Sequence, residues 1–220
     1  MKKFIFSAAA CIWAGWAFSQ ESPLWMRDCC ISPDGSTIAF TYKGDIYTVP
    51  VGGGKAYQLT SNPAYDTKPV WSPDSKMIAF ASNRMGSFDV FVVSREGGAP
   101  KRLTTHSGNE MPIAFKDNNH VLFSASIQQS ADDRQFPTGF SQVYQVDLNA
   151  GRPEMISSMP MEEISIRKDG KQWLYQDKKG YEDPWRKHEV SSISRDVWMY
   201  TPKTNSYAKL TSFRGFVFSN

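Results

Sequence analysis

After the first 19 residues the apolar positions fall into short runs with the two-residue alternation of strands, separated by turns rich in Pro, Asp, Gly and Asn. Ile38-Ala39-Phe40 and Ile78-Ala79-Phe80 are two such runs, each introduced by a Ser-Pro-Asp turn, Ser32-Pro33-Asp34 and Ser72-Pro73-Asp74, at a spacing of 40 residues. A second run follows each, Asp45-Ile46-Tyr47-Thr48-Val49 and Asp89-Val90-Phe91-Val92-Val93, then a glycine turn and a Leu-Thr pair, Leu59-Thr60 and Leu103-Thr104. The order predicts antiparallel strands, with Ile38 to Phe40 beside Ile46 to Val49 and Ile78 to Phe80 beside Val90 to Val93. Two less regular copies come next. In the third, Ala114-Phe115-Lys116-Asp117 replaces the Ser-Pro-Asp turn, ahead of Val121-Leu122-Phe123, Gln142 to Val146 and Glu154-Met155-Ile156. In the fourth, Ile164 to Ile166, Lys168-Asp169-Gly170, Trp173-Leu174-Tyr175, Asp196 to Tyr200 and Lys209-Leu210-Thr211 keep the order.

A repeat of about this length, made of short strands, describes a unit that cannot bury its own two faces and must stack on neighbours. The expected architecture is all-β: a β-propeller of four-stranded antiparallel blades, with four blades and the start of a fifth in an incomplete ring. Residues 26–61, 69–105, 111–157 and 163–212 make the blades, with an insertion at 176–195 in the fourth, and 213–220 open the next. A closed four-bladed ring is the alternative, since propellers run from about 4 to 8 blades. In an unclosed ring, apolar end faces and strand edges favour pairing with other chains, self-association included.

Lys2 and Lys3, the apolar stretch from Phe4 to Phe18, and the small residues Ala17 and Ser19 read as a signal peptide over residues 1–19. The stretch is shorter than the roughly 20 residues of a spanning helix. Export to the periplasm, with no membrane contact after cleavage, is the expectation. The net charge of +3 drops by two when Lys2 and Lys3 leave, and a chain so balanced offers no footprint for nucleic acid. Hydrophobic and aromatic fractions of 40% and 14% supply a packed core. Cys29-Cys30 cannot frame a disulfide scaffold. The pair reads as two strand residues on opposite faces, with a vicinal disulfide or a metal site as weaker alternatives.

Gly139-Phe140-Ser141-Gln142-Val143 lacks the second glycine of a nucleophile elbow, and His106, His120 and His188 are each solitary, so no catalytic residue is assigned. Gly52-Gly53-Gly54-Lys55 lacks the hydroxyl residue after lysine that a phosphate loop needs and reads as a hairpin turn. No cofactor or metal is implied. The Pro-Asp turns have a structural reason, because proline presets φ and aspartate bonds the backbone two residues on. The insertion stands apart: Gly180 to His188 combines aromatic, acidic and basic residues, and Arg195-Asp196 closes it. Either Trp185 packs on the blade while Arg186 and Arg195 pair with Glu182 and Asp183, or Arg186, Lys187 and Arg195 bind a peptide carboxylate, to which arginine offers a two-pronged contact.

The signal segment, Ser32-Pro33-Asp34-Gly35 with Gly44-Asp45-Ile46-Tyr47, Ser72-Pro73-Asp74 with Asn83-Arg84, and Asp183 to His188 with Arg195 to Trp198 together resemble the amino-terminal region of exported bacterial tricorn-type proteases. The repeat alone is shared with TolB-like propellers. The resemblance implies a six-bladed propeller, a second propeller, a PDZ domain and a serine peptidase domain beyond this sequence. It also implies that the propeller filters or channels peptides or unfolded protein segments towards those downstream domains. A free-standing TolB-like scaffold that binds envelope proteins is the second reading, and fold alone does not separate the two. In a bacterial host with active secretion, the mature amino terminus is expected at Gln20. Mass spectrometry of periplasmic and cytoplasmic fractions checks this, and uncleaved chain confined to the cytoplasm would count against it.

Overall fold

The computed structural model describes residues 25–127, 141–167, 169–177 and 196–211. The predicted signal peptide, the insertion residues Arg186, Lys187 and Arg195, His188, and residues 213–220 lie outside them. The chain forms four antiparallel sheets of four strands, each in sequential order. The first comprises β1 (Arg27–Ile31), β2 (Thr37–Tyr42), β3 (Asp45–Pro50) and β4 (Tyr57–Gln58). The second comprises β5 (Asp66–Trp71), β6 (Met77–Met85), β7 (Ser87–Ser94) and β8 (Lys101–Arg102). The third runs through β9 (Glu110–Phe115), β10 (His120–Ala125), β11 (Gln142–Asp147) and β12 (Glu154–Ser157), and the fourth through β13 (Met161–Ile166), β14 (Trp173–Asp177), β15 (Val197–Thr201) and β16 (Ser206–Lys209). A single 3-10 turn, Pro202–Thr204, is the only helical element among the described residues. These are propeller blades, as the repeat predicts.

The register follows the repeat too: Ile38 pairs with Val49 and Phe40 with Tyr47, while Ile78 pairs with Val93 and Phe80 with Phe91. Inner strands start at Asp66, Glu110 and Met161, ahead of the 69, 111 and 163 read from the apolar runs. The reason is physical. A register shift interrupts each inner strand, and the residues before it are too mixed in polarity to extend an apolar run.

Alternation along each strand sends successive side chains to opposite faces, and here both faces meet a neighbouring sheet. Ile78, Phe80, Phe91 and Val93 of the second sheet join Ala39 and Ile46 of the first in one core cluster. Ala79, Val90 and Val92 turn the other way, onto Phe115, Val121, Phe123, Tyr144 and Val146 of the third. Leu122 and Val143 then meet Met161, Trp173, Tyr175 and Tyr200 of the fourth. Each sheet thus shows aromatic side chains to its predecessor and small or aliphatic ones to its successor. The stacked pairs Phe40–Tyr47, Phe80–Phe91 and Phe123–Tyr144, at 5.8, 5.9 and 5.6 Å between centroids, occupy equivalent positions in three sheets. The clusters link first to second, second to third and third to fourth sheet, and the ring is not closed among the described residues.

Polar links recur at fixed places. In the hairpin turns, Asp34, Asp74, Asp117 and Asp169 each accept the amide two residues on, at 2.9, 3.1, 2.8 and 3.1 Å. The Ser32 hydroxyl, the Ser36 amide and hydroxyl, and Arg95 hold the Asp34 carboxyl well below the usual carboxylate range. Turns of adjacent sheets touch: Asp34 N–H donates to Ser75 Oγ and Asp74 N–H to Asn118 Oδ1, both at 3.1 Å. Arg95, from the second sheet, reaches Asp34 at 2.9 Å and Thr37 at 2.7 Å in the first.

The Leu-Thr pairs close the far edge. Ile46, Val90 and Val197 donate their amides to the hydroxyls of Thr60, Thr104 and Thr211 at 2.9, 2.9 and 2.8 Å. Leu59, Leu103 and Leu210 return their own amides to the same three residues' carbonyls.

The second sheet holds a buried ion pair. Arg84 Nη2 holds both Asp66 oxygens, at 3.1 and 2.9 Å, its Nε donates to Ser82, and its guanidinium sits 4.5 Å from the Phe91 centroid. Asp66 is fully buried. Removing one partner of such a pair strands the other in low dielectric. Arg84→Met is therefore expected to lower unfolding stability by about 3–5 kcal/mol, and Asp66→Asn combined with it to recover part of that loss. Denaturant titration measures both, and a single-variant loss below about 1 kcal/mol, the range of an exposed pair, would contradict the assignment.

Candidate functional site

Strands β1, β5, β9 and β13 pack against one another in succession, whereas the fourth strands of the sheets do not, so the sheets converge on their first strands and fan apart at the others. The convergent edge is where a propeller presents a central surface. Its backbone carries a repeated irregularity. Asp28, Lys68 and Glu163 adopt φ of 50°, 52° and 48° at the register shifts of β1, β5 and β13. A left-handed residue other than glycine is uncommon, and in a bulge it re-aims the side chain. All three are charged and exposed. In β9 the shift falls between Pro112 and Ala114, where proline locks φ negative and no left-handed residue occurs.

The bulges also couple neighbouring sheets. Asp28 Oδ2 accepts the Thr67 hydroxyl at 2.6 Å and the Lys68 amide at 3.4 Å. Cys30 Sγ donates to the Pro69 carbonyl at 2.9 Å, and Trp71 Nε1 donates to the Cys30 carbonyl at 3.2 Å. Burial, with Cys29 and Asp28 beside it, pushes the Cys30 thiol up to about 12. A thiol held neutral in this way is inert as a nucleophile. Cys29 is exposed and Cys30 half-buried, and both are free thiols.

The insertion of the fourth sheet starts from a fixed base. β14 runs to Asp177, so Gln176 and Asp177, assigned to the insertion from sequence, belong to the strand. Asp177 accepts the Asp196 amide at 2.8 Å and the Trp198 indole N–H at 3.1 Å, and its own amide returns to the Asp196 carbonyl at 3.2 Å. Lys209 Nζ lies 2.6 Å from the buried Asp196 carboxylate. Asp177 and Asp196, the described residues on either side of 178–195, are thereby held together, and Arg186, Lys187 and Arg195 lie outside the described residues.

The two described histidines have local partners. His106 Nδ1 accepts the Gly108 amide at 3.0 Å, and His120 lies 2.9 Å from Asp117 and 3.6 Å from Asp147. No group of three potential metal ligands forms among the described residues. The bulge residues Asp28, Lys68 and Glu163 escape sequence reading because they share a backbone state and no residue type. Proline at the turn and the Leu-Thr pair are visible signals. A left-handed bulge is not.

Several known proteins share this architecture. Residues 23–218 match the family described as the tricorn protease N-terminal beta propeller domain. Tricorn protease homolog 1 of Streptomyces coelicolor is 38% identical over 72 residues, 33% of this chain and 7% of that protein. The chain spans less than half the length of the curated relatives it matches, from 7% to 44%. Among solved structures, the putative TolB of Agrobacterium tumefaciens superposes with a TM-score of 0.62 at 23% identity, covering 83% of this chain and 63% of that one. The tricorn protease superposes at 0.55 with 15% identity, covering 86% of this chain and 17% of that one. At those identities the structural likeness speaks for the fold. The family match covers nearly all of the sequence, and this chain belongs to the family of tricorn protease N-terminal β-propeller domains.

Proposed function

We propose that the chain is the non-catalytic propeller region of an exported tricorn-type serine protease, and that it admits and orients peptide segments for a peptidase domain elsewhere in the protein. The family match over residues 23–218 carries this reading. Two further observations support it. The convergent edge offers charged groups of both signs, Asp28, Lys68 and Glu163, on rigid strands, a surface suited to the charges and backbone of an extended peptide. The nearby thiol of Cys30 is masked, and the described histidines are bound into turns. Export rests on the Lys2-Lys3 start and the Ala17-Phe18-Ser19 exit.

Within this reading Arg186, Lys187 and Arg195 bind the carboxylate of an incoming peptide. The loop that bears them is tethered at Asp177 and Asp196, on a strand pair that the third sheet buttresses. Arginine suits the role because its planar fork matches a carboxylate bidentately. Arg186→Glu with Lys187→Glu, made in the full-length protein, is expected to raise KM for peptides with a free carboxyl terminus by about tenfold, equivalent to roughly 1.4 kcal/mol. kcat should hold, and carboxyl-amidated peptides should be unaffected. Equal loss on both peptide types would remove the carboxylate assignment. Peptide turnover by the 220-residue chain itself, abolished by replacing one of its serines, would overturn the non-catalytic reading.

A further inference from the structure

The first residue of the inner strand is equivalent in the second, third and fourth sheets: Asp66 pairs with Ser82, Glu110 with Ala125 and Met161 with Asp177, each at the start of its ladder. All three are buried. The molecule solves this position in three ways. Asp66 is neutralised by the two-pronged contact of Arg84. Met161 carries no charge. Glu110 has neither solution: one oxygen accepts from the His106 amide at a long 3.4 Å, the Thr104 hydroxyl supports it, and Oε1 has no partner.

Its surroundings are short of one cation. Asp89 of β7, fully buried, lies close enough to raise the cost of a second negative charge, and neither Asp89 oxygen has a hydrogen bond. Arg102 of β8 stands 2.9 Å from Asp89 Oδ2 out of line for one, and its Nε is also unpartnered. Four of the six buried polar atoms without a partner among the described residues therefore belong to Asp89, Arg102 and Glu110. His106, in the loop before β9, is the other ionisable group acting on Glu110. On the remaining packed elements, Asp66 of β5 and Arg84 of β6 engage each other, and Lys68 of β5 is exposed. His120 of β10 is held by Asp117 and Asp147, and Glu162 and Glu163 lie on β13 across the next joint.

We propose that Glu110 is a proton-operated joint between the second and third sheets: its neutral carboxylic acid fits the buried site, and its ionised form loosens the contact of β9 with β7. Two buried carboxylates this close, with the one arginine set against Asp89, cannot both be charged without penalty, and no solvent reaches either of them. Burial, more than the Asp89 charge, moves the Glu110 carboxyl above its ordinary 4.5. The sign follows from linkage. A carboxyl raised on folding contributes its full stability below pH 4.5 and loses it as pH climbs through the raised value, because the unfolded chain gives up the proton first. The turn aspartates Asp34 and Asp74 work the other way, losing stability only as pH falls below 3.8, and so stay constant in the window above 4.5.

The test is a thermal melt of the full chain from pH 4.5 to 8 beside Glu110→Gln, which keeps the shape of the acid, and Glu110→Met, which borrows the fourth sheet's own residue. Wild-type protein is expected to lose at least about 3 °C relative to each variant across the window, the shift that about 1 kcal/mol gives in a domain of this size, with the gap smallest at pH 4.5. His120 is unchanged in all three proteins, and because His106 acts on Glu110 the comparison is repeated on a His106→Gln background, so that the pH-dependent difference isolates Glu110. A gap that does not change with pH, or variants that melt lower than wild type throughout, would overturn the proposal. Should neither variant fold, potentiometry on wild-type protein decides it. Unfolding must release a proton somewhere in the window above pH 4.5, and release of none anywhere in it would sink the joint.

Discussion

Everything in this fold depends on the two-faced character of its sheets. A strand alternates its side chains between faces, and in β6, β7, β10 and β11 both sets are apolar, so a sheet standing alone would leave one apolar face in water whichever way it turned. Stacking is the remedy. Ile78 and Phe80 go one way and Ala79 the other, and a single run of residues thus cements two joints at once. Stability is for this reason shared between neighbours, as in other repeat proteins, and a weakened joint is felt by the sheets on both sides of it.

Polar chemistry then fixes what apolar packing leaves loose. Packing alone would allow adjacent sheets to slide, but the turn contacts from Asp34 to Ser75 and from Asp74 to Asn118 give the stack a register at one end. Asp28 with Thr67, and Cys30 with Pro69, do the same along the convergent edge. The threonine hydroxyls of Thr60, Thr104 and Thr211 tie the outer edges of the first, second and fourth sheets to the strand beside them, where a two-residue strand such as β4 or β8 would fray. Such short outer strands also limit edge-to-edge pairing.

Much of this was legible in the sequence because the repeat writes it more than once. Ser32-Pro33-Asp34 and Ser72-Pro73-Asp74 announce turns with a known mechanism, and the apolar runs after them set register through Ile38, Phe40, Ile78 and Phe80. The candidate site was less legible. Its backbone feature, a left-handed residue at Asp28, Lys68 and Glu163, depends on how the strand bends, and one local sequence does not encode that bend. The Glu110 environment was hidden for another reason. Asp66, Glu110 and Met161 read as an unremarked column of unlike residues until the ladders align them, and the missing arginine is visible only when Arg84 is seen holding Asp66.

The stacked aromatic pairs have a consequence for how such a molecule changes over generations. Because Phe80 and Phe91 face backwards while Ala79 and Val90 face forwards, any sheet of this kind fits behind any other, in one rotational sense only. Gain or loss of an entire unit keeps this front-to-back polarity of the apolar faces. Variation in such a chain is thereby channelled into whole-unit duplication and into the loops, and the length of the 178–195 segment is the kind of change that this polarity leaves free.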